Sequence, residues 1–231
     1  MTSCVVLFSG GLDSTTALAW ALDRYDRVNA LTFDYGQRHR VEIALARKTA
    51  RRLGVPHRVL KVDLRPIGGS ALTDPAVPLP RSLRPTSPGG GPPSTYVPFR
   101  NGIFLALAAA WAETRGLRDL VCGFHVADSP DYPDTTNAFV RAMEKAVRAG
   151  TKAAFGGPPP RIVAPLIGLG KPDIIRLGLG LGADYAHAVS CYAGAERPCG
   201  ACSACRLRAR AWKTVGLEDP LIARLRKEGR P

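Results

Sequence analysis

Four cysteines near the C-terminus have the spacing of a metal site. The stretch of 15 residues from Cys191 to Cys205 also contains Cys199 and Cys202, so two C-x-x-C steps share Cys202. Four thiolates around one ion form the tetrahedral site that structural Zn²⁺ prefers. An iron–sulfur cluster and unliganded thiols are the alternatives. We expect these cysteines to hold Zn²⁺ for folding rather than for catalysis, because a closed site leaves no position at which water is activated.

A second candidate site is the turn Ser9-Gly-Gly-Leu-Asp-Ser-Thr-Thr16, which lies between an apolar run and a helical segment. Gly10 and Gly11 let backbone N–H groups approach an anion, and the following helix adds the positive end of its dipole. Hydroxyl donors come from Ser9, Ser14, Thr15 and Thr16. The turn has no lysine and no G-x-G-x-x-G spacing, so Walker A and dinucleotide chemistry are disfavoured. It predicts a pyrophosphate-binding loop; the alternative is a plain turn with Ser14 as helix cap.

The segments on both sides of this turn alternate between strand and helix patterns. Short apolar runs predict strands at 3–8, 28–33, 57–62, 119–123 and 162–165. Apolar residues at helical spacing predict helices at 14–22, 42–53, 101–114, 133–149 and 171–177. This alternation is typical of an α/β fold with a doubly wound, mostly parallel sheet and helices on both faces.

The pattern is lost between Pro66 and Pro98, where prolines recur and Gly89, Gly90 and Gly91 follow one another. No packed element is predicted there, and a functional lid or a disordered segment are the two interpretations. We therefore expect an α/β domain at 1–185, with a mobile insertion at about 66–98. A small metal-binding region at 186–231 would pack on it.

The composition is that of a globular protein with excess positive charge. The 231 residues are 45% hydrophobic and 22% charged, which excludes wholesale disorder. No apolar stretch approaches the roughly 20 residues of a membrane span and no export signal is visible, so a cytoplasmic protein is expected, with Cys4 and Cys122 as core residues. The net charge of +13 suits an anionic partner such as nucleic acid. The scattered basic residues equally fit a solvated surface.

Several runs together resemble one family. The turn S-G-G-x-D-S resembles the signature of the PP-loop ATP pyrophosphatases, which cleave ATP between the α and β phosphates. From Ser9 to Leu221 the chain further resembles the 7-cyano-7-deazaguanine synthases. This resemblance is carried by Phe33-Asp-Tyr-Gly-Gln-Arg-His39, Ser70-Ala-Leu-Thr73, Tyr96-Val-Pro-Phe-Arg-Asn101, Tyr132-Pro-Asp134, Ser190-Cys-Tyr192, Cys199-Gly-x-Cys-x-x-Cys205 and Gly216-Leu-Glu-Asp-Pro220.

The resemblance implies an adenine nucleotide α-hydrolase-like sheet and an ATP-dependent C–N ligase. The family converts 7-carboxy-7-deazaguanine and ammonia to the nitrile, through an adenylated carboxylate and an amide, in queuosine biosynthesis. It also implies a homodimer, free ammonia because no glutaminase motif is evident, and no direct nucleic-acid or membrane partner. The nucleotide site would comprise Phe8, Ser9, Gly10, Gly11, Leu12, Asp13, Ser14, Thr15, Thr16, Ala17 and Leu18, and Asp13 could also position Mg²⁺.

Other candidate residues follow from the same runs. Lys171 resembles the PP-loop lysine that reaches phosphate; the alternative is a solvated basic residue. Arg100 with Asn101 could clamp a carboxylate or phosphate, or satisfy a helix start. Candidates for the guanine-like N–H edge or Mg²⁺, with turn and cap roles as the alternative, are Asp128, Asp131 and Asp134. No histidine base is predicted: His39 belongs to a family run, and structural roles are expected for His57, His125 and His187.

The chain departs from the family pattern in one run. Many relatives have S-G-Y-P-D-C-R, whereas this chain reads Pro130-Asp-Tyr-Pro-Asp-Thr-Thr136 and lacks the glycine, cysteine and arginine. The missing arginine could have contacted a substrate carboxylate. The insertion from Leu79 to Pro93 is also longer and richer in proline than the family needs. The two alternatives of other kinds are a tRNA-modifying PP-loop enzyme of the thiolating type and a non-catalytic adenine-nucleotide sensor.

Overall fold

A computed structural model describes residues 1–81, 91–125 and 132–229. The strands are β1 Ser3–Leu7, β2 Arg27–Asp34, β3 His57–Lys61, β4 Asp119–Val121 and β5 Arg161–Val163. The helices are α1 Leu12–Arg24, α2 Val41–Arg52, α3 Arg100–Glu113, α4 Asn137–Ala149, α5 Lys171–Gly180, α6 Ser203–Val215 and α7 Pro220–Lys227. Short 3₁₀ turns lie at Arg65–Ile67, Pro133–Thr135, Lys152–Phe155 and Tyr185–His187.

The five strands form one parallel sheet in the order β3-β2-β1-β4-β5. In the centre, Val5 on β1 is aligned with Asn29 on β2 and with Leu120 on β4. Cys4, Val5 and Val6 are fully buried, as expected for a strand covered on both faces. The predicted parallel sheet is confirmed.

Alternate residues of β1 contribute to two separate cores. Cys4 and Val6 belong to a cluster that includes Leu18 of α1, Ile174 of α5 and Trp212 of α6. Val5 belongs to a second cluster with Leu105 of α3 and Val140 of α4. These two clusters lie on opposite faces of the sheet. Helices therefore cover the sheet on each side, as the predicted doubly wound fold requires.

The chain order also indicates where a ligand binds. The connection from β1 leads to β2 on one side, whereas the later strands β4 and β5 lie on the other side. In open α/β sheets, ligands bind at the carboxyl ends of the strands beside such a reversal. The turn at 9–16, directly after β1, lies at this position.

The structure corrects the predicted helices in two regions. The helix predicted at 133–149 is a 3₁₀ turn followed by α4, because Thr136 is extended (φ −81°, ψ 158°) and its hydroxyl caps α4 by accepting from Phe139 N. Two helices were not predicted at all, α6 and α7. Asp219, in the run that ends at Pro220, caps α7 by accepting from Leu221 N.

The expectation that no packed element lies between Pro66 and Pro98 is wrong for 70–73. Ser70, Ala71, Leu72 and Thr73 are all buried. Ala71 N donates to Ser94 O at 2.7 Å, and Arg38 N donates to Leu72 O at 2.9 Å. Leu72 also joins the core cluster of α3 and α4. This part of the insertion is therefore a piece of the cavity wall described below.

Two cysteines lie outside the quartet. Cys4 and Cys122 are fully buried, as predicted for core residues. In the ranges that the structure describes, no helix combines the length and the apolar character needed to cross a membrane.

Candidate active site

The turn after β1 is shaped by a glycine in the left-handed region. Gly10 has φ +84°, and a Cβ there would lie 2.9 Å from the carbonyl oxygen of Glu42 in α2. Gly11 is the N-cap of α1, and no side chain caps this helix. Ser14 Oγ instead accepts from Gly10 N at 3.2 Å and lies 3.0 Å from Ser9 Oγ. The alternative in which Ser14 caps the helix is therefore wrong. The first N–H group of α1, that of Leu12, donates to the hydroxyl of Ser190 at 3.3 Å.

Two hydroxyls expected to serve this loop have other partners. Thr15 Oγ1 donates to Gly11 O at 2.9 Å. Thr16 Oγ1 contacts Leu12 O and the hydroxyl of Tyr185, at 3.2 and 2.6 Å. Thr16, Ala17 and Leu18 are fully buried. These hydrogen bonds fix α1 in the core.

Lys171 and Asp13 meet at the mouth of this loop, although 158 residues separate them. Lys171 Nζ lies 2.9 and 2.7 Å from the two carboxylate oxygens of Asp13. It also lies 3.0 Å from His125 Nε2. Burial alone would raise the pKa of Asp13, but Lys171 and His125 hold it well below its usual range. The carboxylate is therefore ionised, and it orients the lysine.

One cavity of about 290 Å³ joins this loop to the carboxyl ends of β1, β2 and β4. Of the residues predicted for the nucleotide site, six line it: Phe8, Ser9, Gly11, Leu12, Asp13 and Ser14. Lys171, Arg100 and Asn101 line it as well. The structure thus brings the three predicted catalytic residues, Lys171, Arg100 and Asp13, to one cavity.

Arg100, the first residue of α3, is a half-buried cation in the wall of the cavity. Its Nη1 donates to the hydroxyl of Tyr35 at 3.3 Å, and its guanidinium lies 5.7 Å from the Tyr35 ring and 6.0 Å from the Phe104 ring. Although burial would lower the pKa of Arg100, Tyr35 and Asp134 raise it above the usual value. The preceding residue, Phe99, is left-handed with φ 51°, the single non-glycine with positive φ in the part of the chain described.

Asn101 and Asp134 are bonded to each other, so their predicted substrate contacts compete with a structural role. Asn101 N donates to Asp134 Oδ2 at 3.0 Å, and Asn101 Nδ2 donates to Asp134 O at 3.2 Å. Asp134 therefore satisfies an N–H group in the first turn of α3. The other two predicted carboxylates, Asp128 and Asp131, lie outside the described residues.

Three groups in or beside the cavity were not predicted as site residues. His125, for which a structural role was expected, lies against Lys171 and Asp13. Glu42 lines the cavity beside Arg100, and burial raises the pKa of its carboxyl to about 8. Ser190 also lines it. Glu42 follows the run 33–39 by three residues, so the position of that run could have indicated it.

Ser190 links the phosphate loop to the cysteine quartet. Its hydroxyl accepts from Leu12 N at 3.3 Å, and the preceding Val189 N donates to Gly10 O at 3.0 Å. The next residue is Cys191, the first cysteine of the quartet. The loop and the metal-site candidate therefore share one short piece of backbone.

The four cysteines converge as their spacing predicts. The Sγ atoms of Cys191, Cys199, Cys202 and Cys205 all lie within 4.8 Å of one another. A tetrahedral Zn²⁺ with Zn–S bonds of about 2.3 Å separates its sulfurs by about 3.8 Å. The separation of Cys199 Sγ from Cys205 Sγ is 3.9 Å. The donor set thus fits one tetrahedral metal ion, with three of the four cysteines buried.

Comparisons with known proteins place these features in context. The model of the family "Queuosine biosynthesis protein QueC" matches residues 3–216. The 7-cyano-7-deazaguanine synthase of Azotobacter vinelandii is 50% identical over 219 residues, covering 94% of this chain and 96% of that protein. The synthase of Thiobacillus denitrificans is 49% identical with the same coverage.

Two solved structures share the fold at low sequence identity. One is a 4-thiouridine synthetase in an RNA complex with bound ATP, with 19% identity and a TM-score of 0.50 over 99% of this chain and 53% of that chain. The other is NMN synthetase from Francisella tularensis, with 14% identity and a TM-score of 0.51 over 99% of this chain and 84% of that chain. They support the α/β fold assignment.

Proposed function

The chain belongs to the family of the queuosine biosynthesis protein QueC, and we propose on this premise that it converts 7-carboxy-7-deazaguanine and ammonia to 7-cyano-7-deazaguanine at the expense of ATP. Relatives about half identical over nearly the whole chain are named for this product. The enzyme would be a C–N ligase of queuosine biosynthesis.

One observation carries the proposal: a single cavity is lined by the phosphate-type loop, by Lys171 and by a half-buried arginine, Arg100. No carboxylate forms an ion pair with Arg100 among the residues that the structure describes. A polyphosphate at the loop and a planar carboxylate substrate at Arg100 are the ligands that these groups complement.

The residues have separate roles in the proposed reaction. A substrate carboxylate oxygen attacks the α-phosphorus of ATP and pyrophosphate leaves, which turns a poor electrophile into an acyl adenylate. The backbone N–H groups of the loop and the Lys171 ammonium stabilise the charge that builds on the phosphate oxygens. Arg100 orients the carboxylate by its planar pair of donors.

The nitrile requires two activations. Ammonia attacks the acyl adenylate, AMP leaves, and an amide forms. The amide oxygen then attacks the α-phosphorus of a second ATP, and a second pyrophosphate leaves. AMP and a proton are lost from the resulting adenylate, which gives the nitrile. The proposal takes free ammonia as the nitrogen source.

Two metal ions belong to the proposal. The Cys191, Cys199, Cys202 and Cys205 thiolates would hold Zn²⁺, which stabilises the backbone around Ser190 and supplies no reaction step. Mg²⁺ would accompany the nucleotide phosphates. The ionised carboxylate of Asp13 is the ligand type that Mg²⁺ takes from proteins.

The family resemblance extends the proposal to a homodimer. Light scattering on the zinc-loaded protein tests this directly, and a mass equal to one chain would contradict it.

The test of the reaction follows the base by mass spectrometry with ¹⁵N-labelled ammonium. The expected result is a labelled amide that rises and falls, followed by a nitrile with one ¹⁵N. An amide that accumulates without nitrile would restrict the activity to the first half, and an unchanged carboxylate would refute the proposal.

A further inference from the structure

Glu42 is the carboxylate in the cavity that the proposed reaction does not use. Within the described part of the chain, two carboxylates line the cavity, Asp13 and Glu42. Asp13 is held by Lys171, and Asp134 is bonded to the start of α3. Among the described residues that line the cavity, Glu42 is therefore the carboxylate that is not held by a cation.

The position of Glu42 is fixed by neighbours that bond one of its two oxygens. Gln37 Nε2 and His39 Nε2 both lie 3.4 Å from Glu42 Oε1. Gln37 is itself held, because it accepts from Tyr35 N at 2.8 Å and donates to Phe33 O at 3.1 Å. Across the described residues, the contacts of the Glu42 carboxyl group with Gln37 and His39 are both made by Oε1, and none is made by Oε2. The carboxyl group is thus oriented on one side and unpaired on the other.

Flat aromatic surfaces accompany this carboxyl group in the cavity wall. The Phe33 and Phe104 rings are stacked, with centroids 4.1 Å apart and 8° between their planes. Tyr35 meets Phe104 edge-on at 5.3 Å. All three line the cavity together with Glu42. A planar heteroaromatic ring suits such a wall, because it can bury its faces while its edge reaches a polar group.

A guanine-type base offers the edge that a carboxylate complements. Its ring N–H and its exocyclic amino group donate two parallel hydrogen bonds, and an ionised carboxylate accepts two. Adenine presents a donor beside an acceptor on the corresponding edge, so an ionised carboxylate satisfies half of it. Binding of two N–H donors would also favour the charged form of a carboxyl group that burial holds neutral.

We propose that Glu42 is the specificity-determining residue for the base, accepting hydrogen bonds from the ring N–H and the exocyclic amino group of the deazaguanine. This inference rests on the proposed function, since it assigns one edge of that substrate. Arg100 would then hold the carboxylate of the base and Glu42 its amino edge.

The test compares two bases in the full-length, metal-loaded protein. One is 7-carboxy-7-deazaguanine, and the other is its analogue without the exocyclic amino group, 7-carboxy-7-deazahypoxanthine. Pyrophosphate release gives KM and kcat for each base and KM for ATP. The wild-type protein should prefer the amino base by about 10-fold or more in kcat/KM, because the analogue leaves a buried acceptor unpaired.

Glu42→Gln should raise KM for the amino base by about 10-fold and reduce the preference to within about threefold, since the amide places a donor against a donor. KM for ATP should change by less than about twofold. Glu42→Asp keeps the carboxylate, so it should retain part of the preference even where Glu42→Gln is unstable. Glu228→Gln, at an exposed position outside the cavity, is the matched control.

Three results would overturn the assignment: a wild-type protein that uses both bases equally, a preference that survives Glu42→Gln, or an effect of that variant on KM for ATP alone. The last would place the adenine ring at Glu42. A wild-type protein that releases no pyrophosphate with either base would instead refute the proposed function, so the two failures are distinguishable.

Discussion

Lys171 and Arg100 are cations of the cavity wall with different neighbours. Lys171 lies at the phosphate loop and is oriented by Asp13. Arg100 is bonded to Tyr35 and lies among aromatic rings. The two residues are therefore expected to affect different substrates when they are changed, which separates their roles experimentally.

Lys171→Met should lower kcat for pyrophosphate release by about 10²- to 10³-fold, the typical loss when one preorganised donor to a transition state is removed. Lys48→Met, at an exposed position of α2, is the control with the same change of charge. Rates within about twofold of the wild type, at an unchanged melting temperature, would exclude Lys171 from the reaction.

Arg100→Lys should raise KM for the carboxylated base by about 10-fold, because lysine keeps the charge but loses the planar pair of donors. KM for ATP should stay within about twofold. The exposed Arg115→Lys, whose guanidinium lies 4.1 Å from the Trp111 ring, is the control. If KM for ATP rose instead, Arg100 would be a phosphate ligand.

The raised pKa of Glu42 predicts how the stability of the folded protein changes with pH. Burial raises the pKa of its carboxyl from 4.5 to about 8, while Arg100 and the Gln37 amide oppose this and the buried His39 is held neutral. Between pH 4.5 and about pH 8 the Glu42 carboxyl group is protonated in the folded protein and ionised in the unfolded chain. The free energy of unfolding therefore falls as pH rises through this range.

Urea unfolding of the wild type and of Glu42→Gln tests this at about pH 5 and about pH 8.5. The stability of the variant relative to the wild type should increase between these values by about 1–4 kcal/mol. A difference that does not depend on pH would show that Glu42 titrates normally in the folded protein.

At the scale of elements, the cysteine quartet and the phosphate loop act as one unit. Cys191 follows Ser190, whose hydroxyl accepts from Leu12 N, and Val189 N donates to Gly10 O. Three of the cysteines pack with Leu45 of α2 and Leu221 of α7 in a third cluster. A metal held at this cluster would therefore stabilise the loop without touching the nucleotide.

Ser190→Ala isolates this link, because it removes the hydrogen bond and keeps the four thiolates. We expect full metal content, a weaker Kd for ATP by about threefold to 10-fold, and a small change in melting temperature, in line with one hydrogen bond of about 1 kcal/mol. Calorimetry and metal analysis measure these quantities.

Cys205→Ser should instead lose metal and ATP affinity together and lower the melting temperature by more than Ser190→Ala, because structural metal binding contributes folding energy. Normal ATP affinity in a metal-free protein would contradict the coupling of the two elements.

The elements were predictable where one local pattern determines them. Apolar runs and helical spacing located the five strands and the helices from α1 to α5, since each buries a periodic face. The spacing did not predict α6 and α7, because their stability comes from long-range contacts: Trp212 packs against Tyr185, and Arg208 bonds Asp219 and the carbonyl of Ala188. Likewise 70–73 is buried through hydrogen bonds to residues distant in sequence.

The motifs predicted where the site lies, but the sequence did not identify all of the residues that form it. The spacing of the cysteines and of S-G-G-x-D-S indicated both centres, because each ligand set is local in sequence. His125 and Glu42 have no such local signal; they become site residues through the sheet, which brings the ends of β4 and α2 to the loop of β1. Thr15 and Thr16 belong to the motif, but their hydroxyls donate to backbone carbonyls one turn earlier in the helix.

At the scale of the whole molecule, the charge of +13 is compatible with two kinds of activity. A small-molecule synthase needs positive charge in the cavity alone, where Lys171 and Arg100 supply it. A tRNA-modifying enzyme would use the basic surface outside the cavity as well. The family assignment favours the first.

The proposed reaction is tested by pyrophosphate release from ATP by the zinc-loaded protein under three conditions. These are 7-carboxy-7-deazaguanine with ammonium, bulk tRNA, and neither. Release should require the deazapurine, with two pyrophosphates for each nitrile formed. Release that requires tRNA, or no release under any of the three conditions, would contradict the proposed reaction.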